Sequence, residues 1–274
     1  MKTVKGLHEK MGTFENANTS FHQAARCKRY TNEVLAFSMV KEEELLRATE
    51  EIQNLTYRQG EYKIFKVFEP KERLIMALPF YDRVVQHMIC NAIQPVFENG
   101  FYYHSYACRS GKGMHAASDT LYQWMYETEV KQGLRMYAFK GDISKYFASI
   151  PHDKLKDENR RYIGDKKALM LMDDIIDHNG ILPDGVGIPV GNLTSQLFAN
   201  VYGNKLDKFC KHVLHIPYFV RYMDDFIILS DDLEQLKEWV KRIEEFLENE
   251  MLLHINPKST ILYAGNGIDF CGYI

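Results

Sequence analysis

The stretch Phe219-Val220-Arg221-Tyr222-Met223-Asp224-Asp225-Phe226-Ile227-Ile228-Leu229 constrains this chain more than any other. Two runs of aromatic and β-branched residues flank a pair of acids, which predicts a β-hairpin with buried arms and a charged tip. Adjacent carboxylates repel, and beside a hydrophobic sheet the repulsion is costly. A divalent cation between them is the simplest explanation, so Asp224-Asp225 reads as half of a metal site. The competing reading is a solvated turn, where Asp is common; the apolar arms weigh against it. Met172-Asp173-Asp174 repeats the triplet, but there Leu169, Met172 and Ile176 fall at helical spacing and Asn179-Gly180 supplies a stop. That copy is predicted to be a helix surface and nothing more.

At 274 residues the chain is long for one compact core, and two interlocked subdomains are expected. With 46% hydrophobic and 26% charged residues it has the composition of a soluble globular protein. No apolar run reaches membrane-spanning length, and Met1-Lys2-Thr3-Val4-Lys5 leads into polar sequence rather than a signal-peptide core. A cytoplasmic location without a membrane partner is expected. Cys27, Cys90, Cys108, Cys210 and Cys271 show no metal-type pairing and read as reduced thiols, while His212 and His215 read as ordinary surface or packing residues. The formal charge of −3 suits a nucleic-acid partner poorly until it is divided: residues 231–250 hold eight acids against three bases, a local −5, which leaves +2 elsewhere. A solvated acidic helix apart from the site leaves a mildly basic working surface.

In chain order, a basic patch at 24–30 precedes an amphipathic helix over 41–55, with Leu45, Leu46, Thr49, Ile52 and Leu55 on one face. Residues 61–68 and 73–78 are strand-like around a turn at 69–72, which makes a hairpin carrying Lys66, Lys71 and Arg73. A helix over 81–94, with Arg83 in its first turn, is expected to close at Pro95. The glycine-bearing basic loop 106–113 lacks P-loop spacing and leads into a helix over 116–130. Residues 136–143 form a strand whose end carries Asp142, just ahead of Tyr146 and Phe147. A helical stretch to His178, a Gly/Pro-rich loop and a helix starting at Thr194 or Ser195 follow, the last carrying Leu197, Phe198, Val201, Tyr202, Leu206 and Phe209. After the central hairpin, Leu233, Leu236, Val240, Ile243 and Leu247 mark the inner face of the acidic helix. Short strands are predicted at 251–255 and 268–274, the first ended by the turn Asn256-Pro257-Lys258.

Taken together and in this order, these stretches resemble the reverse transcriptases of bacteria. Residues 71–86 look like the fingers motif, 106–113 the next block, 142–147 motif A, 188–196 motif B, 222–225 motif C, 256–258 motif D and 270–273 the primer grip. Within that group, Ile188-Pro189-Val190-Gly191-Asn192-Leu193-Thr194-Ser195-Gln196 looks most like the diversity-generating retroelement enzymes. Those enzymes carry an aliphatic residue where retroviral and group II intron relatives have Gln, and they copy a template RNA with frequent errors at adenine.

The resemblance implies an α+β right-hand polymerase, with an antiparallel palm sheet packed with helices plus fingers. Residues 1–79 and 152–186 correspond to fingers, and 80–151 and 187–274 to palm, ending at the primer grip. Polymerases of this kind have a helical thumb after that point, so a truncated or incomplete enzyme is expected. By the same resemblance Asp142, Asp224, Asp225 and Lys258 are catalytic, with Lys258 the acid for the leaving group. Asp142, Ile143, Asp224 and Asp225 hold two Mg²⁺ about 3.5–4 Å apart, for which Mn²⁺ can substitute. One ion activates the primer 3′-hydroxyl and the other stabilises the leaving pyrophosphate. Lys66, Arg73 and Arg109 neutralise the triphosphate, Phe147 excludes a ribose 2′-hydroxyl, and Val190 and Gly191 line the new base pair. Phe270, Cys271, Gly272 and Tyr273 form the primer grip. The implied partners are template RNA, a primer, deoxynucleoside triphosphates and, in the diversity-generating group, a small basic accessory protein. Two alternatives stay open: an enzyme of a retron, group II intron or defence system, and a polymerase-like fold that binds nucleic acid without synthesis.

Overall fold

The computed structural model describes residues 3–68 and 72–273. In chain order the helices are α1 (Leu7–Met11), α2 (Phe14–Ala24), α3 (Asn32–Met39), α4 (Lys41–Gln53), α5 (Phe80–Glu98), α6 (Met114–Met125), α7 (Tyr146–Ser149), α8 (His152–Tyr162), α9 (Lys166–Asp177), α10 (Leu193–Lys208) and α11 (Leu233–Phe246). The strands are β1 (Lys63–Val67), β2 (Arg73–Ala77), β3 (Tyr137–Asp142), β4 (Tyr218–Tyr222), β5 (Asp225–Ser230) and β6 (Thr260–Tyr263). No helix among the described residues is long and apolar enough to cross a membrane. The chain forms two compact units, Met1–Gly100 with Pro151–Phe198 and Phe101–Ile150 with Ala199–Ile274. These borders differ from divisions at 79/80 and 186/187, because α5 packs on α1, α2 and α3 and therefore belongs to the first unit, as do residues 187–198.

In the first unit α5 is the central element. Val84, Val85, Met88, Ile89, Ile93 and Phe97 are buried along it at helical spacing. The sequence predicts a stop at Pro95, yet α5 runs on to Glu98. Pro95 lies on the exposed side, where water can serve the carbonyl that proline leaves without a partner, and Phe97 holds the last turn against the Tyr162 ring at 5.4 Å. Helix α4 buries Leu45, Ala48, Thr49 and Ile52, whereas Leu46, expected on the inner face, is exposed one residue's rotation away. Asp165 caps α9 by accepting from the Lys167 and Ala168 N–H groups, and it also accepts from Leu7 and His8 at 2.8 and 3.0 Å, which ties the start of the chain to α9. Asp173 and Asp174 lie in α9 with Met172 turned into the core, as a helix surface should. Strands β1 and β2 pair antiparallel from Lys63↔Ala77 to Val67↔Arg73. Of the turn expected between them, Glu69, Pro70 and Lys71 lie outside the described residues.

The second unit is built on a four-stranded antiparallel sheet in the order β4-β5-β3-β6. One face packs Ala138, Val220, Ile227 and Leu229 against Tyr106, Ala117, Leu121, Ile268 and Phe270. The alternate residues Phe139, Phe219 and Phe226 are buried on the opposite side of the strands, with Phe139 edge-on to Phe226 and Phe219 tilted against it. Gly141 faces Phe226 in the register, and a Cβ there would run into the Phe226 ring, so the glycine lets two strands meet around one large side chain.

Three expectations are corrected here. The helix after the basic loop spans Met114–Met125 and then widens into π-type turns over Tyr126–Lys131. No strand forms at 251–255: Met251 ends a π-type extension of α11, Leu252 adopts a left-handed φ of 52°, and Ile255 makes only an isolated bridge to Ile143. The fourth strand is β6, which follows the Asn-Pro-Lys turn rather than preceding it. Residues 268–274 do not extend as a strand either. Phe270 and Tyr273 exchange backbone bonds of 2.9 and 3.1 Å across Cys271 and Gly272, whose φ values of 56° and 81° close a tight turn.

Candidate active site

The hydrophobic ladder between β3 and β5 sets the position of the acids. Its register runs from Tyr137↔Ser230 to Asp142↔Asp225, and a slip of one residue would turn every buried side chain outward. Asp142 and Asp225 are thus direct cross-strand neighbours, and Asp224 precedes Asp225 in the two-residue turn joining β4 to β5. Ile143 donates its N–H to the Asp224 carbonyl at 3.2 Å, which ties that turn to the end of β3. All three acids are half-buried. Like charges facing each other across strands are destabilising unless something positive joins them.

Asp142 is gripped on several sides. The Asn256 side-chain amide donates to its Oδ2 at 2.7 Å, the Asn256 backbone N–H donates to its carbonyl at 2.7 Å, and its own N–H donates to Ser259 Oγ at 3.0 Å. Neither Asn256 nor Ser259 was singled out from the sequence. The signal available was the Asn-Pro-Lys turn, which reads as a strand end and, by the resemblance, as motif D with Lys258 as its functional residue.

Beneath the acidic turn lies Arg221, the largest fully buried side chain. Its Nε and Nη2 donate to the two oxygens of Asp207 at 2.6 and 2.7 Å, Nη2 also reaches Ser105 Oγ at 3.0 Å, and Nη1 donates to the Met223 carbonyl at 2.8 Å. Burial works against the Arg221 charge, but the Asp207 carboxylate outweighs it and raises the guanidinium above its ordinary value. Burial also pushes the Asp207 carboxyl up; two short charge-assisted bonds to a planar fork nevertheless make the ionised pair the state this geometry supports. Gly203 on α10 makes room, since a Cβ there would meet the guanidinium at 2.7 Å and the Tyr146 hydroxyl at 2.9 Å.

The remaining sequence candidates divide between the units. In the second, Phe147 is half-buried at the start of α7 with its ring edge-on to Tyr146, whose hydroxyl donates to the Ala199 carbonyl at 2.7 Å. Arg109 staples its own loop, donating from Nη1 to the Tyr102 and Ser105 carbonyls at 2.7 and 2.8 Å. Lys258 has an exposed side chain on the turn that holds Asp142, and its backbone N–H donates to Asn256 Oδ1 at 3.1 Å. Phe270 is buried while Gly272 and Tyr273 are exposed, and Tyr273 is bonded to His115 Nδ1 at 2.7 Å. The Cys271 thiol is pushed up to about 12 by burial, with the Asp225 and Asp269 carboxylates adding to it. In the first unit, Lys66 pairs with Glu72 at 2.6 Å and Arg73 opens β2 opposite Val67. Val190 accepts from the Met76 N–H at 3.0 Å, and Gly191 sits at a φ of 119° that disfavours a side chain, with little room beside Ile75 and the Met76 carbonyl.

Among the described residues no three His, Cys, Asp or Glu side chains already converge as a metal-binding group. The backbone register sets Asp142 opposite Asp225, with Asp224 in the adjoining turn. The donors they offer, carboxylates with the neighbouring Ile143 carbonyl, are all oxygen, which suits a hard cation such as Mg²⁺ or Mn²⁺.

A family model described as reverse transcriptase (RNA-dependent DNA polymerase) matches residues 66–274. The chain is 25% identical over 238 residues to protein YkfC of Escherichia coli (strain K12), covering 70% of this chain and 60% of that protein. It is 29% identical over 137 residues to an uncharacterized 91 kDa protein in cob intron of Schizosaccharomyces pombe, covering 48% of this chain and 16% of that one. Among solved structures, apo telomerase from Candida tropicalis truncated from the C-terminal domain superposes with a TM-score of 0.54 at 14% identity, covering 76% of this chain and 50% of that chain. The chain spans 60% or less of the length of each of these proteins.

Proposed function

The chain belongs to the reverse transcriptase (RNA-dependent DNA polymerase) family, and we propose that it is the synthetic core of an enzyme that adds deoxynucleotides to a primer 3′ end on an RNA template. The observation that carries this reading is the pairing of Asp142 with Asp225 at the end of the β3–β5 ladder, with Asp224 in the adjoining turn. Mg²⁺ ions, replaceable by Mn²⁺, bound by Asp142, Asp224, Asp225 and the Ile143 carbonyl would polarise the reacting oxygens. Asn256 and Ser259 hold Asp142 in place, so its carboxylate need not reorganise during the reaction. In this reading the second unit serves as palm and the first as fingers. Lys66, Arg73 and Arg109 supply positive charge for the triphosphate, Lys258 donates a proton to the leaving group, and Phe147 blocks a 2′-hydroxyl. The turn Phe270–Tyr273 holds the primer end. Template RNA, primer and deoxynucleoside triphosphates are the proposed partners, and the cytoplasm the proposed location.

The finer assignment is to the diversity-generating retroelement group, with error-prone copying at template adenine and a small basic accessory protein. Its support is Val190, which offers an aliphatic surface rather than a hydrogen-bonding amide. An intron-associated enzyme is the second reading, favoured by the likeness to a protein in cob intron. Primer extension by the wild-type protein on a homopolymer RNA template tests synthesis, and sequencing the cDNA made on a mixed template separates the two groups. Extension with errors concentrated opposite adenine supports the first assignment. Evenly distributed errors move the chain to the intron group, and no extension refutes the polymerase reading.

A further inference from the structure

Met223 occupies the left-handed region at φ 61° although it carries a side chain, a conformation that persists only where the surroundings impose it. The two-residue turn between β4 and β5 itself calls for φ > 0 at this position, and Arg221 adds a bond that holds the peptide following it. The Met223 carbonyl that accepts from Nη1 belongs to the peptide plane joining Met223 to Asp224, and the Asp224 carbonyl that accepts from the Ile143 N–H belongs to the next plane. The two planes on either side of the Asp224 Cα are therefore each pinned, one by a buried guanidinium and one by the end of β3. Arg221 is itself immobile: Asp207 holds it bidentately, Ser105 takes a further bond, and its backbone N–H and carbonyl bond to His104 and Tyr106 at 3.0 Å each. Asp207 holds and offsets most of its charge, and Asp224 also feels it, so Arg221 gives the turn direction together with a smaller favourable charge.

We propose that Arg221 is a positioning residue for nucleotidyl transfer: its buried guanidinium, fixed by Asp207, orients the Met223–Asp224 peptide and thereby aims the Asp224 carboxylate. This rests on the polymerase reading above. A lysine at this place can keep the charge against Asp207 but lacks the planar fork needed to reach Asp207, Ser105 and the Met223 carbonyl together.

The test compares wild type, Arg221→Lys and Arg221→Lys with Met223→Gly, using melting temperature, single-nucleotide incorporation across a Mg²⁺ titration, and direct Mn²⁺ binding by electron paramagnetic resonance. Arg221→Lys is expected to lower kcat roughly 10- to 100-fold with little change in KM for the nucleotide, because only the aim of one group is lost. Mn²⁺ affinity is expected to fall about tenfold. Adding Met223→Gly is expected to restore much of both, since glycine takes the left-handed φ without help. Restored stability alone would not produce that rescue. If Arg221→Lys fails to fold, Arg221→Met with Asp207→Leu replaces the buried pair by apolar groups and is read against the same variant carrying Met223→Gly. Unchanged kcat and Mn²⁺ affinity in the folded Arg221 variant, or no rescue by Met223→Gly, overturns the proposal. Absence of extension by the wild type refutes the polymerase reading instead, and the Mn²⁺ comparison still decides the role of Arg221.

Discussion

Replacing Asn256 by Ala removes one hydrogen bond whose acceptor is a carboxylate, the 2.7 Å contact from Nδ2 to Asp142 Oδ2. The change also removes the Lys258 N–H bond to Asn256 Oδ1, but the backbone bonds from residue 256 to the Asp142 carbonyl and from Ser259 to the residue 256 carbonyl survive, as does the Ser259 side-chain contact, so β6 stays in place. A bond to a charged group contributes about 1.5–3 kcal/mol, and the half-buried setting of Asp142 puts this one at the low end. If that contribution is needed in the transition state, about 1.4 kcal/mol corresponds to a tenfold slower step. Rapid-quench measurement of one deoxynucleotide added to a primed RNA template is therefore expected to show roughly a tenfold lower maximal rate. The apparent nucleotide affinity should stay within about twofold, with stability reduced by about 1.5–2 kcal/mol. Asn256→Asp should be worse than Asn256→Ala, because it sets a like charge at hydrogen-bond distance from Asp142. An Asn256→Ala enzyme with the wild-type rate would refute the argument that this amide orients Asp142.

Gly141→Ala drives a methyl group into the Phe226 ring in the middle of the sheet, and overpacking of this kind is expected to cost about 1–3 kcal/mol in a urea melt; an unchanged midpoint would show that the strands relax freely. Val190→Gln is expected to make copying more accurate opposite adenine with little effect on extension, as read by cDNA sequencing; an unaltered error spectrum with a lower melting temperature means that Val190 only packs. Burial lowers His104 to about 4, with Lys112 and Lys211 adding to it. The unfolded chain therefore takes up a proton near 6.5 that the folded chain refuses until about 4, so wild-type stability should fall as pH drops through that window. A His104→Gln variant should lose less over the same range in paired melts, and equal losses would contradict the assignment.

The candidate acidic centre was legible in the sequence because it lies where two strong local signals meet. Apolar strands buried on both faces end where the charge begins, so Asp142 and the Asp224-Asp225 pair fall at strand termini, and the ladder then sets Asp142 opposite Asp225. Arg221 stands in the sequence as a charge inside an apolar run but was not singled out, because its partner Asp207 lies on α10 and only the fold joins them. Asn256 was hidden for a different reason. Its turn looked like the end of a strand over 251–255, whereas β6 starts after it, and four short residues with a half-buried pattern carry too little periodicity to separate the two registers. Pro95 and the turn at Cys271-Gly272 erred in opposite senses: one breaker was tolerated on an exposed helix face, and two left-handed residues overrode an apolar strand pattern. In both cases tertiary packing decided against local propensity.

The central claim is that Asp142, Asp224 and Asp225 form one oxygen-donor centre for nucleotidyl transfer. It is tested most directly by Asp224→Asn, which removes a charge and keeps the shape of a side chain that the turn already leaves half-buried. Primer extension on an RNA template with Mg²⁺, measured beside the thermal melt, should show incorporation reduced by roughly a thousandfold or more with the melting temperature unchanged or raised as the repulsion with Asp225 is relieved. Incorporation at the wild-type rate by a folded Asp224→Asn protein would contradict the account.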